Sequence, residues 1–275
     1  MITLIPVGGL ANRMHAIASA LSLANDCNTH LRIIWYKDVG LNCEFHQLFQ
    51  PLPYARVTLK SASLIDFILY DRPRRKNFWI PRVFQRILFD KCLYGSKVTI
   101  LKSRDFDFLG WAKGKNVFIT AYSLFYPLSC FPLSGCFIPK DGIQQRIREQ
   151  YNLFNKHTVG VHIRRTDNVY SISESPTELF INRMNDEIQQ HPETLFYLAT
   201  DSQEEKVRLK SIFGERIITL DKEISRTTPT GIENAVVDLF LLSKTNKIIG
   251  SFYSSYTEIA AELSGIKRII MKNGE

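Results

Sequence analysis

No stretch of 18 or more consecutive apolar residues occurs in the 275-residue chain, which argues against a membrane-spanning helix. Cysteine is scarce. The five present (Cys27, Cys43, Cys92, Cys130 and Cys136) form no C-x-x-C pair and leave one over. That spacing argues against a zinc site and a disulfide framework, and predicts reduced thiols in a cytosol. The first residues, Met1-Ile2-Thr3-Leu4-Ile5-Pro6-Val7, have no basic n-region and break at Gly8-Gly9. They predict an opening strand, not a signal peptide. Internal repeats and low-complexity segments are also missing, which removes solenoid and fibrous architectures. Acids are outnumbered by bases, 27 to 35, for a formal charge of +8. The excess points to an anionic partner: nucleic acid, an anionic membrane surface or a phosphorylated small molecule.

Much of that charge is local. Between residues 71 and 91 lie seven bases (Arg72, Arg74, Arg75, Lys76, Arg82, Arg86 and Lys91) against two acids (Asp71 and Asp90). Ile80, Val83, Phe84, Ile87 and Leu88 recur there at helical spacing, after Phe78 and Trp79, with a basic opposite face. One reading is a surface helix that packs its apolar stripe on the protein core. The other is a basic amphipathic helix lying on an anionic bilayer, a peripheral membrane contact through residues 72–91. No nucleic-acid recognition motif accompanies the charge, so nucleic acid is not an expected partner.

From about residue 158 the chain is regular. Strands are expected at 159–163, 195–199, 216–220, 247–249 and 268–271. Helices are expected at 178–190, 204–213, 232–243 and 256–264. Strict alternation with short connections predicts a parallel sheet with helices on both faces. The first half begins alike, with strands at 2–7 and 31–35 around a helix at 12–25, and then reads as irregular up to about residue 139. The expected organisation is two α/β units, residues 1–150 and 151–275.

Four segments carry polar residues where such a fold binds ligands, at the carboxyl ends of strands. The strand Val159-Gly160-Val161-His162-Ile163 ends in Arg164-Arg165-Thr166-Asp167. Beyond the strand both guanidiniums are free to turn toward one ligand, and their planar donors match phosphate oxygens, so a diphosphate site is expected. Phe196-Tyr197-Leu198-Ala199 runs into Thr200 and Asp201, with Asp201 placed for a ligand hydroxyl or an arginine; Ser202 and Glu205 have capping-box spacing. Asp238 is an acid inside an apolar helix. It predicts either a salt bridge or a carboxylate that accepts from guanine N1–H and the 2-amino group. Gly250-Ser251-Phe252-Tyr253-Ser254-Ser255 opens a helix whose amino terminus suits a phosphate, with Ser254 or Ser255 as cap. A fifth, weaker segment is Gly8-Gly9-Leu10-Ala11-Asn12, a βα turn that can present the Asn12 amide. Asp105-Phe106-Asp107 matches the D-x-D pattern of metal-dependent sugar transferases, but is too short to carry weight and reads as a solvated loop. No cluster of metal-ligating residues is evident, so no metal site is expected.

Taken in order, these segments resemble the fucosyltransferase superfamily, which includes core α-1,6-, nodulation-factor and bacterial α-1,2-fucosyltransferases. His162-Ile163-Arg164-Arg165-Thr166-Asp167 resembles the H-x-R-R-x-D signature, and Leu198-Ala199-Thr200-Asp201 the second motif. Asp238 through Ser254 resembles the third, and Gly8 through Asn12 the amino-terminal loop. The resemblance implies two Rossmann-like lobes of the GT-B type with a cleft between them, GDP-fucose held mainly by the second lobe, and no required metal or other cofactor. It implies that Arg164 carries the diphosphate and neutralises the leaving group. Arg165 and Asp167 would bind donor or hold the loop, His162 would contact guanine or ribose, and Asp201 would help fix the donor. Asp238 would read guanine, Ser254 would bind phosphate with Ser251 as a further substrate contact in the same turn, and Asn12 would touch the donor from the opposite lobe. The sequence departs from the α-1,6 type at Asn168, where a lysine is usual, and at Ile172, the place of a glutamate proposed as base. Glu174, two residues on, becomes the candidate base. The expected activity is inverting transfer of L-fucose from GDP-fucose to an oligosaccharide or lipid-linked glycan. A surface-polysaccharide role is expected, in the cytoplasm or peripherally on the inner membrane face. The competing expectations are a GT-B transferase using another nucleotide sugar, and a basic non-catalytic protein that binds nucleic acid or a membrane surface.

Overall fold

Ten parallel strands in two sheets organise the computed structural model, which describes residues 1–128, 131–166, 169–221, 225 and 227–274. The chain divides into two units, Met1–Ile138 and Pro139–Glu275.

In the first unit the elements run β1 (Ile2–Pro6), α1 (Leu10–Asp26), β2 (Leu31–Trp35), α2 (Phe45–Leu48), β3 (Val57–Ser61), α3 (Leu64–Leu69) and α4 (Ile80–Leu88). They continue with β4 (Lys91–Tyr94), α5 (Ser96–Lys102), α6 (Phe108–Ala112), β5 (Val117–Ala121) and α7 (Leu133–Cys136). The sheet order is β3-β2-β1-β5-β4. β1 and β5 are buried at every residue, so they form the middle of the sheet. Residues 36–139, expected to be irregular, thus hold three strands of a regular sheet. Two of these are edge strands with half-exposed patterns, and such strands lack the apolar run that marks a buried parallel strand.

In the second unit follow α8 (Asp141–Tyr151), β6 (Val159–Ile163), α9 (Val169–Glu174), α10 (Thr177–Gln190), β7 (Phe196–Thr200) and α11 (Gln203–Phe213). The last elements are β8 (Ile217–Ile218), α12 (Pro229–Ser243), β9 (Lys247–Ser251), α13 (Ser255–Ser264) and β10 (Lys267–Met271). The sheet order is β10-β9-β6-β7-β8, so β6 is central between β9 and β7. Alternation along β6 sorts the two faces. Val159, Val161 and Ile163 pack with Phe180 and Met184 of α10 and Leu209 and Phe213 of α11. Gly160 points the other way, where a Cβ would meet Thr245 Oγ1 at 2.8 Å and Leu242 at 3.0 Å, so glycine lets the end of α12 close on the sheet. The division after Ile138 lies ahead of the expected boundary at residue 150. The reason is α8, which buries Ile143 and Ile147 and packs on α12, with Arg146 hydrogen-bonded to Asn234.

Among the described residues no helix is long and apolar enough to cross a membrane. Cys27, Cys43, Cys92 and Cys136 stand outside any disulfide among the described residues.

Candidate nucleotide-sugar site

The register of the second sheet brings three motif segments to one edge. Ile163 pairs with Thr200, and His162 with Ala199 on one side and Gly250 on the other. Arg164, Asp201 and Ser251 therefore stand side by side at the carboxyl ends of β6, β7 and β9. Asp201 organises the turn after β6: one carboxylate oxygen accepts from the Arg165 N–H at 2.7 Å. The other accepts from the Thr166 hydroxyl at 2.6 Å and lies 3.2 Å from Arg164 Nε. From the opposite side Ser251 Oγ accepts the Arg164 N–H at 3.0 Å.

The two arginines part company here. Arg165 does not turn toward a common ligand. Its Nε donates to Glu205 Oε1 at 2.9 Å, and Nη1 donates to the Arg164 carbonyl at 2.9 Å. Nη2 donates to the Ser175 carbonyl at 3.0 Å and Thr177 Oγ1 at 2.9 Å. A guanidinium committed to four acceptors, two of them on α10 and α11, holds the loop against those helices. Of the two roles expected for Arg165, binding donor or holding the loop, these contacts are those of the second. Glu205 is drawn into this network, so only half of the expected capping box forms: Ser202 Oγ accepts from the Glu205 N–H. Asp201, expected to meet a ligand hydroxyl or an arginine, meets Arg164, and Ser251 is fully buried beneath the turn. Asp167 lies outside the described residues.

Arg164 keeps company with the start of α13. Its positive charge acts on both His162 and Tyr256. Ser254 is the N-cap of that helix, its Oγ accepting from Thr257 N. His162 is buried, 2.8 Å from Thr257 Oγ1 through Nδ1 and 3.4 Å from Ser254 Oγ. Its ring lies 4.8 Å from that of Tyr256. Burial first, and the Arg164 charge second, push its pKa down to about 3, so the imidazole is neutral at physiological pH and keeps an acceptor. The approach of Thr257 requires glycine at position 250, where a Cβ would sit 2.2 Å from Thr257 Cγ2. Thr257 was not singled out in the sequence; its signal there is its place three positions after Ser254.

Asp238 is not presented at that edge. It is 1% exposed and accepts a hydrogen bond from the Tyr197 hydroxyl, forming a buried protein pair. Burial raises its pKa to about 7, against the opposing pull of Tyr197. Between its ordinary value and about pH 7, the folded chain holds a proton that the unfolded chain has lost, so this group's contribution to stability falls as pH rises through that window. His162 acts in the opposite sense, costing stability as pH falls from 6.5 toward about 3. The two partly cancel, and a variant isolates the carboxylate. Asp238→Asn is expected to gain on the wild type as pH rises from about 4 to 8, by a few kcal/mol at about 1.4 kcal/mol per pKa unit. Urea midpoints across that range read this directly; a pH-independent difference would show that the carboxylate ionises normally.

Glu174 closes α9, its carbonyl accepting the Asn273 N–H at 2.8 Å beyond β10. No described hydrogen bond joins its carboxylate to Arg164, Asp201 or His162. In the first unit, Asn12 is half-buried in the first turn of α1, its side chain against Gly8, which has a φ of +87°. The dominant residue of that turn is Arg13, fully buried and not foreseen. Nε donates to the Gly8 carbonyl at 2.8 Å and Nη1 to the Tyr36 carbonyl at 2.5 Å. Nη2 meets Asp38 at 2.8 Å, and the guanidinium lies 4.7 Å from the centre of the Trp35 ring. Asp107 of the D-x-D segment is the N-cap of α6, its carboxylate accepting from Gly110 N. Among the described residues no group of three or more His, Cys, Asp or Glu is placed to hold a metal.

In all-parallel α/β units ligands bind at this strand edge, and an arginine beside a helix amino terminus has the chemistry to hold a phosphate. No family model matches the chain, and no curated protein matches its sequence. Solved structures do. The fucosyltransferase NodZ from Bradyrhizobium is similar with a TM-score of 0.61 and 17% identity, over 94% of this chain and 92% of that one. NodZ α-1,6-fucosyltransferase soaked with GDP-fucose gives 0.63 at 18% identity, over 95% and 92%. A mutant of Arabidopsis thaliana FUT1 in complex with GDP gives 0.63 at 16% identity, over 100% and 70%. POFUT1 in complex with GDP-fucose gives 0.57 at 11% identity, over 98% and 97%. The chain has the α/β fold of these fucosyltransferases.

Proposed function

We propose that the protein transfers L-fucose from GDP-fucose to a hydroxyl of an acceptor glycan. The observation that carries this reading is Arg164, fixed at the carboxyl end of the central strand by Ser251 and Asp201 beside the amino terminus of α13. The reading is supported by neighbours of the same fold that hold GDP or GDP-fucose.

In the proposed reaction the acceptor oxygen forms a bond to the anomeric carbon as the bond from that carbon to the β-phosphate oxygen breaks, with inversion. The electron pair leaves with GDP, and the acceptor proton passes to a base. Charge grows on the β-phosphate, where Arg164 and the amino terminus of α13 stabilise it more in the transition state than in the ground state. Ser254 caps that terminus. Asp201, Arg165 and Thr166 keep the turn in shape. A preorganised cationic site of this kind does the work that a metal does in other transferases, so no cofactor is proposed. The proposed setting is cytoplasmic, in surface polysaccharide synthesis.

Calorimetry with GDP, UDP and GDP-fucose in EDTA tests the donor. Selective binding of GDP and GDP-fucose is expected; preference for UDP would replace fucose by another nucleotide sugar, and binding of none would remove the transferase reading. Glu174 is the proposed base. Glu174→Gln is expected to lower kcat by about 10²-fold or more with GDP affinity unchanged, and an unchanged kcat would remove it.

A further inference from the structure

Helices α3 and α4 are folded inside out. In α3 the residue turned inward is Asp66, whose carboxylate takes both oxygens to Lys60 Nζ at 2.8 Å and accepts from Ser63 N and Oγ. Leu64, Ile65, Phe67 and Ile68 of the same helix are exposed, Leu64 at 88%. In α4 the inward residues are Pro81 and Gln85. Gln85 donates to the Asp71 carbonyl at 2.8 Å and accepts from the Tyr94 hydroxyl at 2.9 Å. Ile80, Val83, Phe84, Ile87 and Leu88 face solvent, Ile87 at 77%. The two helices pack on each other, so their exposed apolar residues lie on neighbouring elements of the surface. Phe78 and Trp79, both exposed, precede α4 in consecutive left-handed conformations, with φ of 50° and 60°. The core-packing reading of this helix therefore fails: it turns Pro81 and Gln85 inward and leaves its apolar stripe uncovered.

We propose that the α3–α4 surface docks on an anionic lipid bilayer. Charge chooses the occupant. Arg75, Lys76, Arg82 and Arg86 are exposed and make no salt bridge among the described residues, while Arg74 is paired with Asp71. Basic residues beside exposed aliphatic and aromatic side chains match a headgroup layer that is negative outside and apolar beneath. A second copy of the chain would set the same unpaired cations against each other. The proposal stands apart from the nucleotide-sugar reading, though a lipid-linked acceptor would be met at such a surface.

The test is cosedimentation of the full chain with phosphatidylcholine vesicles, with and without about one-third phosphatidylglycerol, at about 0.1 M salt and at high salt. Binding is expected only to the anionic vesicles and is expected to weaken with salt. Arg82→Glu with Arg86→Glu, and separately Val83→Glu with Ile87→Glu, are each expected to lower the partition coefficient at least about ten-fold. All four positions are exposed, so folding is expected to persist, and circular dichroism of each variant checks it. Three results would overturn the proposal: no retention by anionic vesicles, equal retention by the paired variants, or a dimer in sedimentation velocity that Val83→Glu with Ile87→Glu dissociates. GDP calorimetry in solution is read separately, so loss of the donor reading leaves the vesicle result standing, and the reverse.

Discussion

Arg164→Lys is expected to lower kcat for fucose transfer by about 10²–10³-fold. Lysine keeps the charge but loses the planar fork, so one ammonium cannot both stay beside Asp201 and follow the developing charge on the β-phosphate. The loop itself should persist, because the backbone N–H at this position still reaches Ser251 Oγ. Single-turnover rates with GDP-fucose, alongside GDP affinity by calorimetry, separate a lost transition-state contact from lost binding. Full activity in the variant would remove Arg164 from the leaving-group role. Arg165→Lys makes a useful contrast. Its ties to Glu205, Ser175 and Thr177 are structural, so its effect is expected in the melting temperature as well as the rate.

Arg13→Met is expected to destabilise the first unit by about 3–5 kcal/mol, the range for removing one partner of a buried ion pair. The substitution strips donors from the Gly8 and Tyr36 carbonyls and leaves Asp38 without its cation. Asp38 keeps the N–H groups of Gly40 and Leu41, which favours the lower end of that range. Burial lowers the Arg13 pKa to about 10, so the group remains charged at neutral pH and its loss is felt as a charge. Arg13→Lys is expected to recover only part, since one ammonium cannot serve three acceptors in three directions. Urea midpoints measure both; a loss below about 1 kcal/mol would show that the Gly8–Gly9 turn stands without this anchor.

The second sheet was legible because buried parallel strands read as short apolar runs between helices. The spans at 159–163 and 31–35 coincide with β6 and β2. The placement of Arg164, Asp201 and Ser254 at strand ends or at the start of a helix was legible for the same reason. β3 and β4 were not, because half-exposed edge strands carry little apolar signal. The hold on Arg165, which the resemblance offered as one of two options, was not legible from spacing either. It depends on Glu205, 40 residues away, and adjacent arginines look alike in one dimension. Asp238 depends likewise on Tyr197, 41 residues away.

The amino-acid sequence by itself determined an alternating α/β chain, an excess of positive charge and a row of polar residues at strand ends, because periodicity and local turn chemistry are properties of neighbouring residues. Only the tertiary structure decided which of those residues hold the turn together. It also decided that Arg13 anchors the first loop and that α4 shows its apolar face to solvent while Gln85 points inward. Periodicity reports that a helix has an apolar side. Whether anything covers that side is settled by elements distant in the chain.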